Sequence, residues 1–115
     1  MRYVLLICND ESTRAALSPD EQLAARTAYE AFAQEMSARG VLLAGERLRP
    51  TTDATTVRVR DGEVLLSDGP FAETKEQMGG YYIIDCQDLD EAVEVASKVP
   101  AASFGSIEVR PIWER

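Results

Sequence analysis

Apolar side chains follow one another without a break from Tyr3 to Cys8, and again from Tyr81 to Cys86 with one interruption at Asp85. Successive side chains of a strand point to opposite faces, so both runs predict strands that are apolar on both sides, as central strands are. Between them the period changes. Ala25, Tyr29, Phe32 and Met36 recur at spacings of four, three and four, which gathers them on one stripe of a helix. A polar connection reaches residue 17, and Ser18-Pro19-Asp20-Glu21 then opens that helix with an N-cap, a first-position proline and a capping box. Gly40 closes it, since a residue without Cβ accepts the left-handed C-cap conformation. Val41 to Leu48 predicts a strand that ends before Pro50. Thr56-Val57-Arg58-Val59-Arg60 alternates, Asp61-Gly62 is a two-residue hairpin turn, and Glu63 to Ser67 is the returning arm. Asp88-Leu89-Asp90-Glu91 caps a second helix with Leu89, Ala92, Val93, Ala96 and Val99 inward, and Pro100 ends it. Ser106 to Trp113 predicts the last strand, with Ile107 and Val109 inward.

Strand, helix, a strand meander, then strand, helix, strand is the order of an α+β fold. The simplest arrangement is a ferredoxin-like sandwich with an extra β-hairpin, both helices lying on one face of an antiparallel sheet. Two helices leave the other face bare. Val4, Leu6, Tyr82 and Ile84 cannot share a face with Leu5, Ile7, Tyr81 and Ile83, and each fully buried apolar side chain is worth about 1.5–3 kcal/mol. A second subunit covering the bare face resolves the conflict, which predicts a homodimer in the form of a dimeric α+β barrel. At 115 residues the chain is expected to be one domain over residues 1–115.

Composition narrows the function classes. A net charge of −8, with no cluster of Lys or Arg to break it, repels nucleic-acid phosphate and anionic lipid at long range. No stretch approaches the ~20 apolar residues of a membrane span. The apolar start is too short for a signal peptide and Asp10-Glu11 follow at once, so a cytoplasmic location is expected. In that setting Cys8 and Cys86 are expected as reduced thiols. Histidine is absent, so an ordinary zinc site would need four cysteines and only two exist. Gly79-Gly80 has no third glycine or phosphate loop, and no Ser-His or Cys-His pair can form. No metal and no cofactor are expected.

The segment richest in candidate chemistry runs from Ser67 to Tyr82: a strand end, a turn with charged and amide side chains, a Gly pair expected to break the chain, and an aromatic-led strand. Its structural reading is complete in itself. Asp68 bonds its own turn, Gly69 supplies a positive φ, Pro70 fixes the next one, Phe71 anchors the loop in the core, and Glu73 to Gln77 form a solvated helical turn. In the functional reading Asp68, Glu73 and Glu76 line a cleft above the sheet, and Asp68 or Glu73, buried against Phe71 or Tyr81, acts as general acid or base. Lys75 and Gln77 orient a small-molecule ligand, Tyr81 and Tyr82 offer a phenol to polarise a carbonyl, and Arg58 and Arg60, on one hairpin face, pair with the acidic loop or clamp a carboxylate substrate.

The words Asp68-Gly69-Pro70-Phe71 and Glu73-Thr74-Lys75-Glu76-Gln77-Met78-Gly79-Gly80-Tyr81-Tyr82 resemble the DGPF-motif branch of the YCII-related family. So do Thr55 to Gly62, Asp88 to Ala92 and Ser106 to Pro111, in the same order along nearly the whole chain. The resemblance implies a ferredoxin-like dimeric α+β barrel. It also implies a regulatory link to an extracytoplasmic-function sigma factor, because genes of that branch lie beside such factors. The His–Asp pair proposed for some relatives, and the ring dehydrochlorination of another, do not carry over to a chain without histidine. Two functions follow as expectations: a small-molecule-binding or sensing homodimer, or a cofactor-free lyase or isomerase using Asp68 or Glu73 as its base. A pocket without a deeply placed carboxylate would favour binding.

Overall fold

A computed structural model describes residues 1–114. Strand β1 (Arg2–Asn9) leads through a short helix α1 (Glu11–Ala15) into the long helix α2 (Pro19–Ala38) and on to β2 (Leu42–Arg47). Strands β3 (Thr55–Arg60) and β4 (Glu63–Asp68) form a hairpin, and β5 (Gln77–Asp85), helix α3 (Leu89–Ser97) and β6 (Ser106–Pro111) follow. The architecture is α+β. Strands β2, β5, β1 and β6 lie side by side in that order, antiparallel at every junction, while β3 pairs with β4 in a separate two-stranded sheet. Among the described residues neither sheet closes into a barrel, and no helix is long and apolar enough to cross a membrane.

Local chemistry explains most boundaries. Ser18 and Glu21 form the reciprocal capping box, with Pro19 in the first turn of α2. Asp88 caps α3 through the Glu91 amide at 2.9 Å. Gly40 takes φ +73° after α2, and Asp61 and Gly62 take φ 51° and 78°, the doubly left-handed turn that matches strand twist. Helix α1 stands where a plain polar connection was expected. Asp10 builds it by accepting from the amide and hydroxyl of Ser12, at 2.9 and 2.6 Å.

The core lies between one sheet face and helices α2 and α3. Tyr3, Leu5 and Ile7 of β1 point into it beside Ile84, against Phe32 and Met36 of α2 and Ala92, Val95 and Ala96 of α3. On α3 the inward stripe differs from expectation: Val95 is buried, whereas Leu89 and Val93 are half exposed. The register also corrects which side chains share a face. Leu5 stands opposite Tyr82 and Tyr3 opposite Ile84, so Tyr82 and Ile84 belong to the helix-covered side. Val4 opposite Ile83 and Leu6 opposite Tyr81 make up the bare side. Both strands are apolar on two faces, as their sequences require, and helices cover one.

The Gly79-Gly80 pair does not break the chain. Both residues lie inside β5, which begins at Gln77, ahead of the expected start at Tyr81. The register slips between Ile7 and Cys8, so Gly79 is the extra residue of a β-bulge. A Cβ on Gly80 would sit 2.9 Å from the Glu46 carbonyl oxygen of β2, so glycine here allows a close strand approach.

The hairpin stands off the body. Its strands pack chiefly on each other, leaving Val57, Val59, Val64 and Leu66 each more than half exposed. The chain is accordingly flat, 48 × 44 × 19 Å, with a radius of gyration of 16.1 Å. A compact chain of this length would have about 13 Å.

The two cysteines are far apart. The Cys86 amide donates to the Met1 carbonyl at 2.9 Å, whereas Cys8 is near the opposite end of β1, roughly 20 Å away at the usual rise per strand residue. Both are free thiols, and burial pushes Cys86 up to about 11.

Two outcomes are expected from this packing. Gly80→Ala is expected to lower stability by about 1–3 kcal/mol in urea unfolding, because its Cβ meets backbone that cannot swing away. An unchanged midpoint would contradict the close approach of β2 and β5. Cys86 is expected to be alkylated at pH 8 at least about a hundredfold more slowly in the folded than in the unfolded chain, since its thiolate is scarce. Equal rates in native and denaturing buffer would refute its burial.

Candidate functional site

The turn after β4 is pinned to the start of the hairpin. Asp68 ends β4 opposite Thr55. Gly69 takes φ +91°, its amide donates to the Ala54 carbonyl at 2.7 Å, and its own carbonyl accepts from Thr56 Oγ1 at 2.8 Å. Phe71 does not anchor the loop in the core. Its ring is 80% exposed, and Arg58 reaches only the Phe71 carbonyl, at 3.4 Å. Residues 73–76 form no helical turn; the Thr74 hydroxyl donates to the Glu76 carbonyl and the Gln77 amide to the Thr74 carbonyl.

A polar tie that no motif announced joins this loop to α1. The Glu11 amide donates to Gln77 Oε1 at 2.9 Å, and the Glu11 carboxylate accepts from the amide and hydroxyl of Thr51, both at 2.8 Å. Below it lies an open groove of about 370 Å³ walled by Thr51, Gly69, Pro70, Glu73 and Gln77. A second open depression of about 650 Å³ is lined by Asp10, Thr13, Lys75, Glu76 and Phe104.

The predicted residues are therefore divided. Glu73 and Gln77 share one groove. Lys75 lines the other depression with Glu76, whose carboxylate accepts from Ser106 Oγ at 2.8 Å. Arg58 meets the backbone of Phe71 but no side chain of the group, and Tyr81 sits on the bare sheet face opposite Leu6. Asp68 and Glu73 are both exposed, so no apolar wall shields either carboxylate within this chain. Among the described residues no group of three or more Cys, Asp or Glu side chains is placed to hold a metal ion.

A different corner gathers unpaired polar groups at the end of the sheet, on its helix-covered side. Asn9 is 6% exposed, and its Oδ1 has no hydrogen-bond partner. It lies across the space left open by Gly79: a Cβ there would meet Arg14 Nη1 at 3.1 Å and Asn9 Oδ1 at 3.9 Å, and no third atom within 4 Å. Arg14 is half-buried and, among the described residues, has no ion pair. Burial pushes its guanidinium down, and the positive charge of Arg47 pushes the same way. The Tyr29 phenol is raised by burial, against the opposing pull of Arg14, of a backbone hydrogen bond at Ala101 and of Arg47. Further along β5, the Tyr82 ring packs on Phe32 at 5.1 Å and lies over Gly45 too closely for any Cβ. Only the Gly pair hinted at this corner from sequence, and its meaning was hidden because a missing side chain shows its use only once the facing atoms are known.

Compared with protein-family models, residues 1–115 match the YCII-related domain. Among curated proteins, one from Rhizobium meliloti (strain 1021), described as uncharacterized, is 45% identical over 114 residues, covering 97% of this chain and 92% of the relative.

The exposure of the loop carboxylates has a direct consequence. Asp68→Asn and Glu73→Gln are each expected to change unfolding free energy by less than ~0.5 kcal/mol. A loss above ~1 kcal/mol in either variant would mean that the carboxylate has a structural partner that the loop geometry does not contain.

Proposed function

This chain belongs to the YCII-related family, and we propose that it works as a small-molecule-binding homodimer, a ferredoxin-like sandwich whose bare sheet face closes against a second copy into an α+β barrel. The observation that carries the reading is surplus surface. The chain exposes 8089 Å², whereas a folded monomer of its 12.7 kDa would expose about 6,200 Å². The surplus lies in apolar side chains: Val4, Leu6, Tyr81 and Ile83 on the sheet, and Val57, Val59, Val64 and Leu66 on the hairpin. Large exposed apolar surfaces on soluble proteins mark interaction sites, and a standard interface removes about 800 Å² from each partner.

A second copy seated on the hairpin would also cover Phe71 and the groove of Glu73 and Gln77, which turns an open trough into an enclosed pocket. Binding fits this arrangement better than catalysis. The alternative of a cofactor-free lyase or isomerase needs further polar side chains to orient a substrate beside its base, and Lys75, Arg58 and Tyr81 all lie outside the Glu73 groove. No described surface speaks for a sigma factor, and the proposal leaves one out.

Light scattering at micromolar concentration is expected to give twice the chain mass, and native mass spectrometry of protein from its source a retained small molecule. Leu66→Glu is expected to yield a folded monomer, because Leu66 is 68% exposed within one chain and contributes little to its own core. A monomeric parent protein would sink the dimer. A dimer insensitive to Leu66→Glu would remove the hairpin from its interface.

A further inference from the structure

We propose that the corner bounded by Asn9, Arg14, Tyr29, Arg47 and Gly79 binds a small hydroxycarboxylic acid, its carboxylate held by the two guanidiniums and its hydroxyl donated to Asn9 Oδ1. The proposal deepens the small-molecule-binding reading and rests on it, but it uses neither the dimer face nor the loop groove.

Three features of the corner point to an acid. In a chain of net charge −8, neither Arg14 nor Arg47, which stands opposite Gly80 in the sheet, has a paired carboxylate among the described residues. Glu11 acts on Arg14 but forms no ion pair with it, because its carboxylate is engaged by the amide and hydroxyl of Thr51. A half-buried guanidinium without an ion pair, with an exposed arginine at the edge of the same corner, is a ready receptor for a carboxylate, which a planar fork grips with two hydrogen bonds.

The hydroxyl follows from Asn9. A buried acceptor without a donor costs about 1–3 kcal/mol, and a bound group carrying an O–H removes that penalty. The unfilled acceptor and the unpaired cation face the same space above the Gly79 bulge. A neutral hydroxyl suits that space. An ammonium would also donate to Asn9, but it would stand beside two positive charges. On its far side Asn9 is walled in by Gly105, whose own Cβ would come within 2.9 Å of Asn9 Cβ, so a ligand must enter from the Arg14 side.

Lactate, propionate and alanine are three-carbon acids carrying a hydroxyl, a hydrogen and an ammonium at the same position. They separate these contributions when titrated into the intact protein and followed through the NMR signals of the Asn9 side-chain amide and Arg14 Nε. Lactate is expected to shift both signals saturably and to bind about tenfold or more tightly than either analogue. Arg14→Gln is expected to abolish the shifts of the Asn9 amide. Gly79→Ala is expected to weaken lactate about tenfold or more by filling the space, with unchanged circular dichroism, because its Cβ meets only the mobile end of Arg14 and the tip of Asn9. Equal affinities for lactate and propionate would overturn the role of Asn9, and undiminished binding in both variants would overturn the site. A ligand that co-purifies with the parent protein and binds Arg14→Gln equally well would refute this assignment while leaving the small-molecule reading intact. If nothing co-purifies and no probe binds, both fall.

Discussion

Strand β1 is the constraint on which the rest of the structure depends. It lies between β5 and β6, and nearly every side chain on it is apolar, so both of its faces need cover. Helices α2 and α3 supply one cover only. Tyr3, Leu5 and Ile7 disappear beneath them, while Val4, Leu6 and Cys8 on the same strand stay partly wet. The hairpin could have folded back over that second face, and it does not; it pairs with itself and projects. An uncovered apolar sheet and an uncovered apolar hairpin in one chain are two halves of the same unsolved burial, which is why a second copy is the economical solution.

Glycine sets the spacing of the sheet on the side away from β6. Gly80 brings β5 close to the backbone of β2, and Gly45 on β2 makes room for the Tyr82 ring to lie across it and reach Phe32. These two absences let an aromatic side chain of the central sheet join the helix-side core without pushing the strands apart. Gly79, one residue earlier, leaves its space to polar atoms instead. The bulge that carries it lies near the start of β5, so that the strand begins beside Arg14 and Asn9. One short Gly-Gly word therefore serves both packing and the polar corner.

Much of the fold was legible because it rests on short-range rules. The Ser18 box, the Asp61-Gly62 turn, the stripe ending in Phe32 and Met36, and the doubly apolar strands are each decided by a few neighbouring residues, and each is present. What was not legible depends on distant partners. Leu89 and Val93 have the right spacing for an inward stripe, yet the face of α3 that meets the sheet is centred on Ala92, Val95 and Ala96, because small residues let the helix sit close. Phe71 looked like an anchor because aromatic rings are usually buried, but within one chain no core lies under it. The functional residues divide in the same way. Charged words near a turn drew attention to Asp68, Glu73 and Lys75, while Asn9, Arg14 and Arg47 come from three separate elements and share no word at all.

Helix α1 joins these themes. Five residues are too few for a helix to hold itself in water, so its stability comes from its ends and its partners. Asp10 caps it, and Glu11 ties it simultaneously to Thr51 before the hairpin and to Gln77 at the start of β5. Arg14, one turn further on, reaches the Gly79 bulge from the same helix. The hairpin and the loop that follows it are thus connected, through Thr51, Glu11 and Gln77, to the side chain best placed to hold an anion.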